Sequence, residues 1–242
     1  MTLSKRLQAV ADRIPTSPVY VDIGCDHGYL PIYVVSAGVA QKAIATDLRK
    51  GPLERAREHV RACGLEDKIE LRQSDGADAL SLKDSIDTIS ITGMGGRLLL
   101  RIMERGHGIF RAARDIIISP QSDIPLVRER LTEDGFTIVE DVMVEDAGKY
   151  YVILHLKPQP KGTQARLLTP EEKMYGACLR ERKDPVLYEY LLKEQKQTRK
   201  ICEALKNKET AAALAACEQA ERKLEIIGRA LRTQETEDVY GG

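Results

Sequence analysis

Over residues 1–157, short β-rich apolar runs alternate with stretches of helical period, and this rhythm restricts the chain to few architectures. Strands are expected at 19–23, 43–47, 68–72, 86–91 and 115–119, with helices between them at 29–37, 51–63, 96–105 and 123–134. Such alternation specifies a doubly wound α/β sheet. Right-handed crossovers then gather the turn-bearing strand ends on one edge. After the fifth strand the rhythm breaks. Segments 136–145 and 150–157 both read as strands, and Asp146-Ala147-Gly148-Lys149 between them is too short for a crossover helix. The pair must form an antiparallel hairpin. The expectation is a seven-stranded, Rossmann-like α/β sheet closed by that hairpin.

Two other segments flank the sheet. Leu3, Leu7, Val10 and Ile14 recur at helical spacing behind Ser4, a suitable N-cap. At the other end, Lys157-Pro158-Gln159-Pro160-Lys161-Gly162 reads as a linker, dividing the chain into 1–160 and 161–242. Beyond it Thr169-Pro170-Glu171-Glu172 has the form of a helix start. A further helix begins at Pro185. Leu187, Leu191, Glu194, Thr198, Ile201 and Leu205 are spaced as a heptad stripe, and so are Ala213, Cys217, Ala220, Leu224, Ile227 and Leu231. With a turn near 207–210, these predict an antiparallel, coiled-coil-like helical hairpin, with alanines permitting close approach near the turn and fraying after about Thr233.

Charge and cysteine usage narrow the class. Lys plus Arg and Asp plus Glu both number 37, so global charge announces no nucleic-acid partner. No apolar stretch approaches a membrane span, and no signal peptide is evident at the N-terminus. Five widely spaced cysteines without a C-x-x-C pair fit a reducing cytoplasm rather than a disulfide or zinc framework. His27, His59, His107 and His155 are dispersed, so no metal is expected.

The chemistry concentrates at the ends of the expected strands. The first turn reads Asp22-x-Gly24-x-Asp26-x-Gly28. It departs from G-x-G-x-x-G by placing an acid where a glycine often stands. Asp26, and more remotely Asp22, would repel a pyrophosphate but suit the sulfonium and ammonium of S-adenosylmethionine. Asp47, about 20 residues on, is placed to bind a ribose diol, with Leu48 beside it. Asp75 and Gly76 follow the third strand, where an acid accepts from an adenine amino group and a glycine admits the ring. Gly93-Met94-Gly95-Gly96 follows the fourth strand, at the switch point where open sheets bind ligands. Arg97, Arg101 and Arg105 then share one helix face, suited to nucleic-acid phosphates, and Arg111 and Arg114 extend it. A tight unliganded turn and a solvated basic face are the plainer readings.

Together these residues resemble the bacterial tRNA (adenine-22 N1) methyltransferase family. The likeness lies in Asp22-Ile23-Gly24-Cys25-Asp26-His27-Gly28-Tyr29-Leu30-Pro31, in Gly51-Pro52-Leu53, in Gly93-Met94-Gly95-Gly96, and in Ser119-Pro120-Gln121-Ser122. It continues through Gly148-Lys149-Tyr150-Tyr151 into the C-terminal helices. The resemblance implies a class I methyltransferase domain with a helical C-terminal domain, methylating N1 of adenine 22 in the tRNA D arm. It implies that Gly24, Asp26, His27, Asp47, Asp75, Gly76 and Gly93 line a cofactor pocket. The chain lacks the N/D-P-P-Y/F motif of amino-directed adenine methyltransferases, which argues against N6.

Adenine N1 carries an in-plane lone pair, so alignment is required rather than an obligatory base. Asp26 is the candidate to stabilise the cationic product, Tyr29 to stack on or hydrogen-bond the base, and Met94 to shape its pocket. Lys193, Lys196, Arg199 and Lys200 on the C-terminal hairpin are candidate tRNA contacts, in a protein expected to be monomeric. The rival readings are a small-molecule methyltransferase with a helical dimerisation arm, a non-catalytic adenosylmethionine-binding adaptor, and an NAD-binding protein, the last disfavoured by the acids of the first turn.

Overall fold

A computed structural model describes residues 2–206, 208 and 210–235. It divides into two compact units, Met1–Leu167 and Leu168–Gly242. The first begins with α1 (Lys5–Ala11), whose N-cap Ser4 accepts from the Leu7 amide. There follow β1 (Ser17–Ile23), α2 (Tyr29–Ser36), β2 (Ala40–Asp47), α3 (Lys50–Ala62), β3 (Ile69–Gln73), β4 (Thr88–Thr92) and α4 (Gly96–Arg105). Then come α5 (His107–Ala112), β5 (Asp115–Ser119), α6 (Ile124–Glu133), β6 (Phe136–Asp146) and β7 (Lys149–Pro158).

The strands form one seven-stranded sheet in the order β3-β2-β1-β4-β5-β7-β6. The first five are parallel, and β7 and β6 close it antiparallel. Sequence order reverses between β1 and β4, leaving the crevice of a topological switch point there. Val21 registers with Ile44 on one side and Ile89 on the other, and Ile89 with Ile116. Val21, Ile89 and Ile116 are fully buried, as both-face coverage of a parallel sheet requires. The β6–β7 connection is tighter than four residues: Ala147 and Gly148 alone form it, both at positive φ (52° and 80°). Right-handed strand twist favours that turn geometry.

Helix α5 and a short 3₁₀ turn at Leu82–Asp84 have no counterpart in the hydrophobic periodicity. Gly106 and Gly108 flank the start of α5 and mask its helical signal. Arg111 in that helix donates to the carbonyls of Gly135 and Gln159 and lies over the Phe136 ring. Arg114 pairs with Asp115 and donates to the Thr16 carbonyl. Both therefore brace the fold near the start of β5, at the edge opposite the switch-point turns, and do not extend a basic face from α4.

In the second unit lie α7 (Pro170–Tyr175), α8 (Ala177–Glu181), α9 (Pro185–Leu205) and α10 (Ala211–Glu235). Thr169 and Glu172 form a reciprocal capping box on α7. The Asp184 carboxylate accepts from the amides of Val186 and Leu187, with Pro185 opening α9. Leu187, Leu191 and Thr198 of α9 are buried, as are Ala213, Ala220, Ile227 and Leu231 of α10. Glu194 within the stripe accepts from Tyr175 and Tyr190 and pairs with Lys223. The stripe is not sealed along its length: Ile201 is 51% exposed. Asn207 and Glu209 of the expected turn, and the tail from 236 on, lie outside the described residues. No helix among the described residues is long and apolar enough to cross a membrane.

A buried ion pair fastens α6 to the closing hairpin, with Arg128 Nη2 3.2 Å from Asp141 Oδ2 and both side chains almost wholly enclosed. Removing one partner strands a charge in the interior, which costs about 3–5 kcal/mol. Asp141→Ala is therefore expected to lower unfolding free energy by that order, as measured by urea denaturation.

Candidate active site

Three hydrogen bonds bind the turn after β1 to the end of β2, and a fourth ties Asp47 to the loop that follows it. The amides of Gly24 and Cys25 both donate to the Thr46 carbonyl, at 2.8 and 2.9 Å. The Asp26 amide donates to Asp47 Oδ2 at 3.3 Å, and the Arg49 amide to Asp47 Oδ1 at 2.9 Å. Gly24, Asp26 and Gly28 all take positive φ (77°, 49° and 73°), so the chain reverses in a few residues into α2. Asp47 thus has a double place. It anchors two loops, and it lines a cleft of about 540 Å³ at the switch point, a size typical of small-molecule sites.

The sequence-predicted pocket residues converge on this cleft. Asp22, Gly24, Asp26, His27, Tyr29, Asp47, Leu48, Asp75, Gly76, Gly93 and Met94 all line it. The three central acids differ in setting. Asp22 is buried within β1, where its Oδ1 accepts from Ser90 Oγ at 2.5 Å, and Ser90 in turn bonds the Tyr20 hydroxyl. Burial pushes the Asp22 carboxyl up to about 6, against the lowering pull of the Ser90 and Tyr20 hydroxyls. Asp47 is also nearly enclosed, whereas the Asp26 side chain is 58% exposed, with His27 Nε2 3.6 Å from its Oδ2. Asp47 is thus held by two backbone amides, whereas the Asp26 carboxylate stands open to solvent beside His27.

Two glycine assignments change. Gly76 leaves room for Ile102 of α4: a Cβ there would lie 2.9 Å from Ile102 Cγ2. Packing thus demands this glycine, quite apart from any ring it admits. In the turn after β4, Gly96 accommodates the loop after β5, since a Cβ would lie 2.4 Å from the Ser122 carbonyl oxygen. The Gln121 amide donates to the Met94 carbonyl, and the Gly96 amide to Ser122 Oγ. Of the three glycines only Gly93, at φ 76°, lines the cleft. The Met94 methyl fills the space over Gly24, so Met94 joins the two turns.

Two of the three arginines on the α4 face are paired within the fold. Arg105 Nη1 holds Asp75 Oδ2 at 2.7 Å and its Nη2 binds Asp78, while Arg97 pairs with Asp123 at 3.3 Å. Arg101 is exposed and makes no ion pair among the described residues. Lys193, Lys196, Arg199 and Lys200 are exposed on α9 in the second unit, on the face away from Leu187 and Leu191.

Arg6 was not singled out by the sequence, yet it lines the cleft. Its backbone amide donates to Asp146 Oδ2, and its guanidinium lies 5.2 Å from the Tyr151 ring centroid. Its Nη1 has no hydrogen-bond partner among the described residues, and lies beside Gly93 and Gln121. No local signal marks it, because the partners that fold it inward are some 140 residues away. The structure also gathers His27 and His59, which are far apart in sequence: their rings are 5.9 Å apart. Among the described residues, no group of three or more His, Cys, Asp or Glu side chains is placed to hold a metal.

A family model described as tRNA (adenine(22)-N(1))-methyltransferase matches residues 20–227. The chain belongs to this family. It is 38% identical over 154 residues to the Bacillus subtilis tRNA (adenine(22)-N(1))-methyltransferase, a match covering 64% of each chain. The crystal structure of a putative Streptococcus pneumoniae tRNA (m1A22) methyltransferase, in complex with S-adenosyl-L-methionine, is similar with a TM-score of 0.83 at 32% identity. That match covers 95% of this chain and all of the other. A Listeria monocytogenes protein of the same fold has a TM-score of 0.90 at 29% identity, with the same coverage.

With Arg105 tied to Asp75, its loss should act on the cofactor. Arg105→Gln is expected to raise the Kd of S-adenosylhomocysteine severalfold in calorimetry and leave the affinity for tRNA within twofold. A change confined to tRNA would restore the phosphate-binding reading.

Proposed function

We propose that the protein transfers the methyl group of S-adenosylmethionine to N1 of adenine 22 in tRNA. The observation that carries this reading is the charge pattern of the family's cleft. Asp22, Asp26, Asp47 and Asp75 line it, with Arg6 the one lining arginine that makes no ion pair among the described residues. A zwitterionic amino acid joined to a sulfonium and a nucleoside matches this arrangement, whereas a pyrophosphate does not. The orphaned Arg6 Nη1 beside Gly93 suits a carboxylate there.

S-adenosylmethionine supplies an electrophilic methyl group when bound. On this reading Asp47 receives the ribose hydroxyls, Leu48 flanks the adenine and Asp75, held by Arg105, accepts from its amino group. Gly24, Gly76 and Gly93 let backbone line the cleft, while His27 steadies the first turn. Buried Asp22 favours the cofactor's ammonium. Arg6 takes its carboxylate. Adenine N1 enters with its lone pair free, so no residue has to remove a proton first. The chain's work is alignment, with Met94 and Tyr29 bounding the base and Asp26 facing the positive charge that the product acquires.

Arg97, Arg101 and the α9 cations Lys193, Lys196, Arg199 and Lys200 are assigned to tRNA phosphates. The cleft is complete within one chain, which supports a monomer. The five cysteines are all unpaired, which supports action in a reducing cytoplasm.

Incubation with unmodified tRNA and S-adenosylmethionine, followed by nucleoside mass analysis and mapping, is expected to yield N1-methyladenosine at position 22. Methylation elsewhere, or none, would overturn the reading. A pH test follows from Asp22. Its folded-state value, about 6, is raised above the ordinary 3.8, so it is neutral below about pH 6 and charged above. In the unliganded protein its contribution to stability falls as pH rises through this window, because ionisation is easier in the unfolded chain. A bound ammonium favours the ionised form, so cofactor affinity should rise as pH climbs through about 6. Asp22→Asn should abolish that rise in calorimetry.

A further inference from the structure

Three rings meet at the mouth of the cleft. His27 and Tyr29 are 5.4 Å apart at 15°, Tyr29 and His59 are 5.2 Å apart at 19°, and His27 and His59 are 5.9 Å apart at 30°. All three are therefore close to parallel. His27 and Tyr29 line the cleft, whereas His59, projecting from α3, does not. The cluster thus runs from inside the pocket to outside it. It is not a by-product of abundance: the chain has four histidines, nine tyrosines, two phenylalanines and no tryptophan. Nor is it core, since Tyr29 is 39% exposed and the His27 side chain 31%. His59 Nδ1 donates to the His27 carbonyl at 2.9 Å, fixing the outer ring against the first turn. Near-parallel rings that are rigid and partly open to solvent fit the flat face of a nucleobase, and such stacking contributes about 1–3 kcal/mol per base.

We propose that His27, Tyr29 and His59 form a stacking platform for the nucleobase next to the target adenine, with His59 its outer ring. The proposal rests on the tRNA reading above. An adenine extruded into the cleft leaves its neighbour unstacked at the rim, and the platform replaces the lost stacking partner. His59 is then a positioning residue for the substrate and has no role in cofactor binding.

Its ring and its hydrogen bond can be separated. His59→Phe keeps a ring and loses the bond to the His27 carbonyl. His59→Asn keeps a donor near the position of Nδ1 and loses the ring. The test measures tRNA affinity, with 2-aminopurine placed before or after the target nucleotide, alongside S-adenosylhomocysteine affinity. His59→Phe should bind tRNA within about twofold of the wild type and quench the 2-aminopurine emission. His59→Asn should bind about tenfold or more weakly and leave the probe bright. Both should bind S-adenosylhomocysteine normally. The reverse ranking, equal behaviour of the two variants, or a change in cofactor affinity would overturn the platform. Failure of the tRNA reading shows separately, as wild-type protein that yields no N1-methyladenosine in the same tRNA.

Discussion

The cleft depends on the clamp between the first turn and the end of the second strand. Two amides share the Thr46 carbonyl, and the Asp47 carboxylate takes one amide from each flanking loop. Without it, three left-handed residues in five would have little to hold them in sequence-specific order. With it, Gly24, Asp26 and His27 are presented at the switch point, and α2 starts where Tyr29 faces the cleft mouth. The acid that lines the cleft is thus also the acid that builds the loop. A substitution at Asp47 would therefore disturb both, whereas Asp26, largely in solvent, is free to act on a ligand.

A second clamp mirrors the first across the crevice. The loop after β5 lies against the Gly93–Gly96 turn through Ser122 and Gln121, and Gly96 exists for that contact. Met94 then spans the crevice to Gly24. The two sides of the pocket are joined by a flexible thioether, a side chain suited to yielding when a ligand or a base enters.

The strands and the closing hairpin were legible because their signals are local: apolar runs, glycine turns and a hairpin connection too short for anything else. The acids of the first turn were legible for the same reason, as departures from a known glycine pattern at fixed spacing. The partners of the arginines were not. Arg97, Arg101 and Arg105 share a face on α4, but spacing says nothing about carboxylates 26 to 30 residues away. Asp123 takes Arg97, and Asp75 and Asp78 take Arg105. Arg111 and Arg114 read as more of the same charge, yet they hold carbonyls and a carboxylate at the other end of the sheet. The exposure of Ile201 likewise departs from a heptad stripe that looks uniform in the sequence.

The sequence by itself determined the α/β alternation, the closing hairpin, the helical appendage and the acid-and-glycine turns that mark the family. Each depends on periodicity or on conformational demands spanning a few residues. Only the tertiary structure decided which charges face the cleft and which are spent on the fold. It brought Arg6 from the N-terminal helix to Gly93, turned Arg105 onto Asp75, and set His59 beside His27 and Tyr29. Whether a charged or aromatic side chain is free for a ligand depends on what packs against it. Such partners lie up to some 140 residues away, beyond the reach of any local pattern.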